Sequence, residues 1–190
     1  MDQVTNNLLR ELEKTQHDFW NISKETANFL SILIKASNRK NMLEIGTSNG
    51  YSGIWFAKAL KENGGHFTTI EFYDKRQSLA KEYFKTCEID DIATFLQGSA
   101  VEVLENMPEN KEFDMVFIDA NKREYIKYFK LTDKMLKKGG IIAADNITSH
   151  AEKVKEFVDA IEADERYQVQ VLNLPAGLLL AYKISDWKFM

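Results

Sequence analysis

Oxygen-bearing side chains directly follow two apolar segments in the second half of the chain. Asp119 comes after the segment 113–118, and Asp145 and Asn146 come after the segment 141–144. Two carboxylates and an amide carbonyl are hard oxygen ligands, which suit Mg²⁺ or a similar divalent cation. The same residue types also cap the helices that follow such segments. The spacing therefore leaves a metal site and a pair of helix caps as equal alternatives.

A second group of candidate residues lies in the segment 43–53, which reads Leu-Glu-Ile-Gly-Thr-Ser-Asn-Gly-Tyr-Ser-Gly. A short apolar segment, a glycine turn and the start of a helical pattern follow one another here. Gly46 and Gly50 would let the backbone turn tightly and approach a ligand, to which the helix N-terminus offers free N–H groups. Ser48 stands at the second glycine of the dinucleotide-binding fingerprint, which is therefore not matched. An ordinary turn between a strand and a helix is the alternative.

Glu71 ends the next apolar segment, 67–70. An acidic residue at this place in a nucleotide-binding fold typically accepts hydrogen bonds from ribose hydroxyls. A solvated carboxylate at a strand end is the alternative. Together with the glycine turn, Glu71 favours a cofactor that contains adenosine, without separating S-adenosylmethionine (SAM) from a nicotinamide dinucleotide.

The elements that must position these residues alternate between strand and helix patterns. Strands are predicted over 42–45, 67–70, 93–96, 113–118, 141–144, 168–172 and 178–184. Helices are predicted over 4–14, 26–36, 51–60, 74–86, 100–106, 122–136 and 152–161, with Ser23 and Asp74 as caps and 137–140 closing the helix at 122–136. Short apolar strands separated by helices indicate a parallel sheet covered on both faces. Because ligands bind beyond the carboxyl ends of such strands, we expect the polar residues to meet in one crevice.

Length, composition and charge narrow the class of protein. The chain has 190 residues, enough for a single domain, with N-terminal helices expected over 1–38 and the core over 39–190. The net charge of −4 argues weakly against a protein that coats nucleic acid. Cys87 is the only cysteine, which fits a reducing cytosol. Neither a signal peptide nor an apolar run of membrane length is found, so a cytoplasmic protein without membrane contact is expected.

On these motifs the chain resembles the metal-dependent O-methyltransferases that use SAM, a family that includes catechol and caffeoyl-CoA methyltransferases and bacterial relatives. The matching segments are 43–52, 69–71, 113–125 and 139–146, in family order and at family spacing, and the similarity covers nearly the whole chain. The Asp-Ala-Asn-Lys element at 119–122 and the Asp-Asn element at 145–146 are the more specific ones. The resemblance implies the Rossmann-like α/β fold of class I SAM methyltransferases. Such a fold has a mostly parallel seven-stranded sheet, helices on both faces and extra N-terminal helices.

The resemblance also implies roles for individual residues. Asp119, Asp145 and Asn146 would bind Mg²⁺ or another divalent cation such as Mn²⁺ or Ca²⁺. Lys122 matches the family's proposed general base, so Lys122 and Asp119 are the expected catalytic residues. Glu71 would bind the ribose. The other residues expected around the cofactor, beside Asp119, are Ile22, Glu44, Gly46, Ser48, Gly50, Tyr51, Ser52, Phe72, Gly98, Ser99 and Ala100.

The expected reaction is transfer of the SAM methyl group to a hydroxyl oxygen of a small catechol-like or phenolic acceptor. Methyl transfer from a sulfonium is an in-line displacement, which requires the nucleophilic oxygen close to the methyl carbon. A bound cation would lower the pKa of the hydroxyl and orient it, and Lys122 would take the proton. The alternatives are methylation of a hydroxylated tRNA uridine, a nicotinamide-dependent oxidoreductase and a non-catalytic SAM-binding protein.

Two segments depart from the family pattern. The segment 147–150 is a shorter loop than plant and animal relatives carry after the Asp-Asn element. The segment 175–180, Pro-Ala-Gly-Leu-Leu-Leu, lacks the acidic residue that relatives have near the C-terminus. The acceptor is therefore left open. Since relatives are often dimers, a homodimer is expected.

Overall fold

The computed structural model describes residues 1–108 and 110–186, so residue 109 and the last four residues of the predicted core lie outside the described part. Its strands are β1 (Asn41–Ile45), β2 (His66–Glu71), β3 (Ala93–Gln97), β4 (Phe113–Ile118), β5 (Leu136–Ala144), β6 (Tyr167–Leu172) and β7 (Leu178–Lys183). They form one sheet in the order β3-β2-β1-β4-β5-β7-β6. The pairs among β1 to β5 are parallel, whereas β7 runs antiparallel to β5 and β6. The predicted mostly parallel, seven-stranded sheet is confirmed.

Helices cover both faces of this sheet. They are α1 (Gln3–Lys14), α2 (Gln16–Phe19), α3 (Lys24–Ala36), α4 (Tyr51–Glu62), α5 (Asp74–Thr86), α6 (Ala100–Glu105), α7 (Tyr125–Asp133) and α8 (Ala151–Glu162). Leu30, Phe56 and Phe117 belong to a buried cluster on one face, and Val116 and Phe157 belong to a cluster on the other. Neighbouring residues of β4 thus contribute to opposite cores. This double burial explains why the strands read as continuous apolar runs.

The N-terminal helices pack on the first of these clusters. Leu9 and Leu12 of α1 and Ile34 of α3 are buried in it, because their spacing places them on single helix faces. Ser23 caps α3 as predicted, since its Oγ accepts a hydrogen bond of 3.0 Å from the Thr26 N–H. The short helix α2 was not predicted. No helix within the described residues combines the length and apolar composition needed to cross a membrane.

Two predicted element boundaries were wrong. The helix predicted over 122–136 begins as a 3₁₀ turn at Lys122–Glu124, and α7 ends at Asp133. Leu136 already pairs with Phe113, so the segment 137–140 lies in β5 and does not close a helix. Two features let β5 continue through the polar residues 137–140. They are a register irregularity near Phe113 and the left-handed conformation of Gly139 (φ 79°).

The second wrong boundary concerns α5. Asp74 is the first residue of the helix, and Tyr73 is the residue that precedes it in extended conformation. No side-chain hydrogen bond caps the start of α5. The Tyr73 N–H is instead bonded at 2.9 Å to the Glu71 carboxylate. The chain turn after β2 is therefore organised by Glu71.

The topology places the candidate residues at one edge of the sheet. β1 pairs with β2 on one side and with β4 on the other, so the strand order reverses at β1. In open α/β sheets, ligands bind in the crevice beyond the carboxyl ends at such a reversal. Gly46, Glu71 and Asp119 all lie at these carboxyl ends.

Candidate active site

A cavity of about 480 Å³ opens at the carboxyl edge of the sheet. A volume of this size suits a small-molecule or cofactor site. Most of the residues predicted to surround the cofactor line it, namely Ile22, Gly46, Ser48, Ser52, Glu71, Phe72, Gly98, Ser99, Ala100 and Asp119, and so does the predicted base Lys122. The loops after four neighbouring strands and the segment before α3 thus converge on one space.

Gly46 marks the closest approach between the two central loops. Its φ of +105° lies in a region that side chains rarely adopt, and its N–H is bonded at 3.0 Å to the Ile70 carbonyl. A Cβ at this position would lie 2.9 Å from the carbonyl carbon of Asp119, with the carbonyl oxygen closer still. A glycine is therefore required for the turn after β1 to touch the backbone after β4.

Glu44 is fully buried beneath this turn and does not line the cavity. Ser52 Oγ and Thr69 Oγ1 donate hydrogen bonds of 2.6 Å to its two carboxylate oxygens. Thr47 Oγ1 lies 2.5 Å from Thr69 Oγ1, which extends the network. Burial raises the pKa of Glu44 to about 8, although both hydrogen bonds act in the opposite direction. Burial thus favours the protonated form of Glu44, which supports the turn from below.

Glu71 lies at the wall of the cavity formed by the end of β2. Its Oε2 accepts a hydrogen bond of 2.7 Å from the Ser48 N–H, and its Oε1 accepts one of 2.9 Å from the Tyr73 N–H. Each carboxylate oxygen can accept a further hydrogen bond. The carboxylate is therefore fixed in place by backbone donors and retains the capacity to bind ribose hydroxyls.

The opposite end of the cavity carries the charged residues that follow β4. Lys122 Nζ lies 2.9 Å from Asp119 Oδ1, and both side chains are largely buried. Burial raises the pKa of Asp119, while the positive charge of Lys122 lowers it. Burial, followed by the negative charge of Asp119, raises the pKa of Asp145 to about 7. The two carboxylates lie near each other because they follow the paired residues Ile118 and Ala144, and the Asp145 N–H donates a hydrogen bond of 3.1 Å to the Ile118 carbonyl.

The donors predicted for a cation fit such an ion. Asp145 Oδ2 accepts a hydrogen bond of 3.0 Å from Asn146 Nδ2, whereas Asp145 Oδ1 is buried without a partner in the described structure. Unpartnered buried oxygens are rare, and a cation would satisfy this one while offsetting the repulsion between the carboxylates. Among the described residues, no three His, Cys, Asp or Glu side chains lie close enough together to hold one metal ion. The candidate cation site therefore needs the Asn146 amide as its third donor. Asp145 and Asn146 lie outside the lining of the cavity.

Two predicted cofactor residues also lie away from the main cavity. Gly50, with φ +85°, packs against α5, where a Cβ would lie 3.0 Å from the Cβ of Ala80. The Tyr51 hydroxyl donates a hydrogen bond of 3.3 Å to Glu13, and its side chain lines a smaller cavity of about 200 Å³ that Ile22 also lines. Both residues shape the start of α4, and their contact with the cofactor stays a prediction.

The cavity wall includes Arg76, which sequence reasoning missed, and Trp20, whose aromatic ring could have been expected to pack on a ligand. Trp20 and Arg76 line the cavity, and the Arg76 guanidinium carbon lies 4.9 Å from the centre of the Trp20 ring. Nothing in the sequence links residue 20 to residue 76. Asn121 and Tyr128 also line the cavity without having been predicted.

The two segments that depart from the family pattern are in contact. The N–H groups of Ile147 and Thr148 donate hydrogen bonds of 3.1 and 2.9 Å to the carbonyls of Gly177 and Ala176. Ala176 and Gly177 are both left-handed, with φ of 67° and 78°. The short loop after Asn146 is thus held against the short turn before β7, next to the candidate cation site.

Together, the reversal of strand order at β1 and the cavity beyond it define an α/β protein that binds a nucleotide-type cofactor. The sequence pattern that defines the O-methyltransferase family matches residues 2–184. The chain belongs to this family, and the expected enzyme class, a SAM-dependent O-methyltransferase, is confirmed.

Individual relatives agree with this assignment. The chain is 34% identical over 128 residues to the catechol O-methyltransferase of Niastella koreensis, which covers 66% of this chain and 58% of that protein. It is 29% identical over 201 residues to caffeoyl-CoA O-methyltransferase 1 of Eucalyptus globulus, with 93% and 80% covered. The solved O-methyltransferase from Bacillus cereus in complex with S-adenosylhomocysteine (SAH) has a TM-score of 0.84 and 27% identity, over 96% of this chain and 91% of that one.

Proposed function

We propose that this protein transfers a methyl group from SAM to a hydroxyl of a small catechol-like or phenolic acceptor with the help of a divalent cation. The observation that carries this proposal is the position of Asp119. It lines the cofactor cavity, forms an ion pair with Lys122 and lies near Asp145 across the β4–β5 pairing, and the two carboxylates would hold a cation together. The methyl donor and the activated hydroxyl would therefore meet at the end of β4.

The residues of the cavity wall support the proposal that SAM binds in this cavity. Glu71 is oriented by two backbone donors to receive ribose hydroxyls. The N-terminus of α4, with Ser52 in the cavity, offers N–H groups and a partial positive charge to the methionine carboxylate. Gly98, Ser99 and Ala100 would border the adenine. The donor would thus extend from β3 to β4 with its sulfonium near Asp119.

The residues after β4 and β5 support the proposed metal-assisted methyl transfer. Asp119, Asp145 and Asn146 would hold the cation, which lowers the pKa of an acceptor hydroxyl and fixes its orientation. The acceptor oxygen attacks the methyl carbon, the carbon–sulfur bond breaks, and SAM becomes the neutral thioether SAH. The hydroxyl proton goes to Lys122. In the ion pair with Asp119 the Lys122 ammonium is a donor, so its amine can accept the hydroxyl proton only after the ammonium has released one of its own protons to solvent.

Transfer of labelled methyl from SAM to a panel of 3,4-dihydroxyphenyl compounds, with Mg²⁺ and with EDTA, tests this function. We expect turnover with Mg²⁺ that EDTA abolishes and that added Mg²⁺ restores. Turnover that persists in EDTA would refute the metal requirement. SAM binding without turnover of any acceptor would refute the acceptor class and favour the tRNA alternative or a non-catalytic role.

Several expectations stay predictions, namely the acceptor, the homodimer and the cytoplasmic location. Membership of the O-methyltransferase family argues against the nicotinamide-dependent alternative. For tRNA, Lys122, Arg123, Lys127 and Lys153 are the candidate basic residues. Two of them are engaged with carboxylates, since Lys122 pairs with Asp119 and Lys127 lies 3.6 Å from Glu124. A small acceptor is therefore the better-supported proposal.

A further inference from the structure

Trp20 has an unusual position between α2 and α3. Its side chain is 71% exposed, and its φ of 55° is a left-handed conformation that bulky residues rarely adopt. Its ring lies over the Arg76 guanidinium, whose carbon is 4.9 Å from the ring centre. Tyr73 presents its own ring to the same guanidinium at 5.2 Å. We call these three side chains the Trp20–Arg76–Tyr73 stack.

The stack forms part of the wall of the cofactor cavity. All three of its residues line the cavity, Trp20 from the N-terminal segment and the other two from the start of α5. Tyr73 is anchored beside the ribose site, because its N–H is bonded to Glu71. The stack therefore connects the segment 19–22 to the wall that would hold the ribose.

A second contact fastens the same segment. Ser48 Oγ donates a hydrogen bond of 2.9 Å to the carbonyl of Phe19. The Ser48 N–H in turn donates a hydrogen bond of 2.7 Å to Glu71. Ser48 therefore also connects the segment to the carboxylate that is proposed to bind the ribose. Ile22, at the far end of the segment, is buried against the core. The segment is thus attached at both ends, and Trp20 is the part that faces solvent.

Core packing does not account for Trp20. A side chain with 71% exposure contributes little to the core, and the described part of the chain gives Arg76 no ion pair. Two aromatic faces therefore provide the partners of this guanidinium. A strained, exposed tryptophan that contacts an arginine in the wall of a cavity points to a role at the cavity.

We infer that the Trp20–Arg76–Tyr73 stack holds the segment 19–22 over the cofactor and thereby sets how fast SAM and its product SAH leave. The inference rests on the proposed function, since it takes SAM as the occupant of the cavity. The three side chains are positioning residues. They lie at the β2 side of the cavity, away from Asp119 and Lys122, and take no part in breaking or forming bonds.

The test compares Arg76→Met and Trp20→Leu with the wild-type protein. Arg76→Met keeps the aliphatic stem and removes the cation, and Trp20→Leu removes the ring. We expect release of tritiated SAH, measured by filter binding after a chase with unlabelled SAH, to accelerate about threefold to tenfold in each variant. The double variant should release SAH no faster than the faster single variant, because both substitutions remove one contact. The KM for the acceptor should stay within twofold of wild type.

Lys75→Met is the matched control. Lys75 is exposed on the same helix, so the substitution removes the same charge without touching the stack, and SAH release should stay within twofold. Trp20→Phe retains an aromatic face, so this variant should release SAH almost as slowly as the wild-type protein. Unchanged release in both stack variants, or an equal change in Lys75→Met, would overturn the inference. Failure of the wild-type protein to bind SAM would instead overturn the proposed function itself.

Discussion

Lys122 Nζ lies 2.9 Å from Asp119 Oδ1, within the turn that follows β4. This ion pair joins the predicted base to a predicted cation ligand. Both side chains are largely buried, so water screens the pair weakly. Asp119 therefore has two competing partners, Lys122 and the proposed cation. A cation bound there would repel the Lys122 ammonium and so favour the neutral amine, which is the form that can accept a proton.

Lys122→Met tests the role of this lysine. The substitution keeps the aliphatic stem and removes the proton acceptor, so we expect kcat to fall by about 10²- to 10⁴-fold with SAH affinity unchanged. Single-turnover methyl transfer and calorimetric titration with SAH measure the two effects. Lys127→Met, on the exposed side of α7, should retain wild-type kcat. A fully active Lys122→Met variant would remove Lys122 from the mechanism.

Asp145→Ala tests the candidate cation site. Because Asp145 lies outside the lining of the cofactor cavity, we expect turnover to be lost while SAM binding stays largely intact. Methyl-transfer assays with saturating Mg²⁺ and SAH titration measure this difference. Asp159→Ala, on the exposed face of α8, serves as the control and should be fully active. Unchanged turnover in Asp145→Ala would rule out the assignment of the cation to this site.

Gly46→Ala tests the contact between the two central loops. The added Cβ would meet the Asp119 backbone, which cannot move without disturbing β4, so we expect a loss of roughly 3 kcal/mol of unfolding free energy. Gly64→Ala is a matched control, since Gly64 is also left-handed (φ +67°) but has no atom within 4 Å of the built Cβ. It should cost about 1 kcal/mol. Equal losses by urea unfolding would show that backbone strain alone explains both results.

Glu44→Gln tests the buried carboxylic acid. Burial raises the pKa of Glu44 in the folded protein from 4.5 to about 8. Below pH 4.5 both the folded and unfolded states bind the proton, so the contribution of this group to stability is fully present and does not vary with pH. Between pH 4.5 and 8 the unfolded state loses the proton first, so the wild-type protein loses roughly 4 kcal/mol as the pH rises.

The glutamine variant is neutral throughout this range and should not show that loss. Urea unfolding of both proteins at pH 5 and pH 8.5, without ligands, measures the difference. We expect the stability of Glu44→Gln relative to wild type to increase between the two pH values. Glu82→Gln, on the exposed face of α5, should show no such increase. A relative stability that does not depend on pH would mean that Glu44 titrates normally.

The sequence was sufficient to predict the sheet because its signals are local. The apolar runs of β1, β2 and β4 end directly at Gly46, Glu71 and Asp119, and topology alone brings these ends together. The boundary errors have a physical reason as well. Lys137 and Lys138 look like a helix end, but pairing with β4 extends β5 through them, and pairing between distant strands leaves no trace in a local pattern.

Contacts between distant segments were the part that sequence reasoning could not supply. The stacking of Trp20 on Arg76 and the hydrogen bond from Ser48 to Phe19 depend on how the N-terminal helices fold back over the sheet. The docking of the loop at 147–149 onto 176–177 likewise joins two segments that the sequence shows only as separate departures.

The contact between Gly46 and the Asp119 carbonyl has a consequence for how such an enzyme can change. It sets the spacing between the turn after β1 and the turn after β4, where SAM and the cation are proposed to bind, through main-chain atoms alone. The loops at 147–150 and 173–177 lie outside that contact, so their side chains can vary without shifting the donor. If the proposed function holds, acceptor preference and reaction geometry are separable in this protein, and exchanging the two loops should change the acceptor preference while the reaction geometry stays the same.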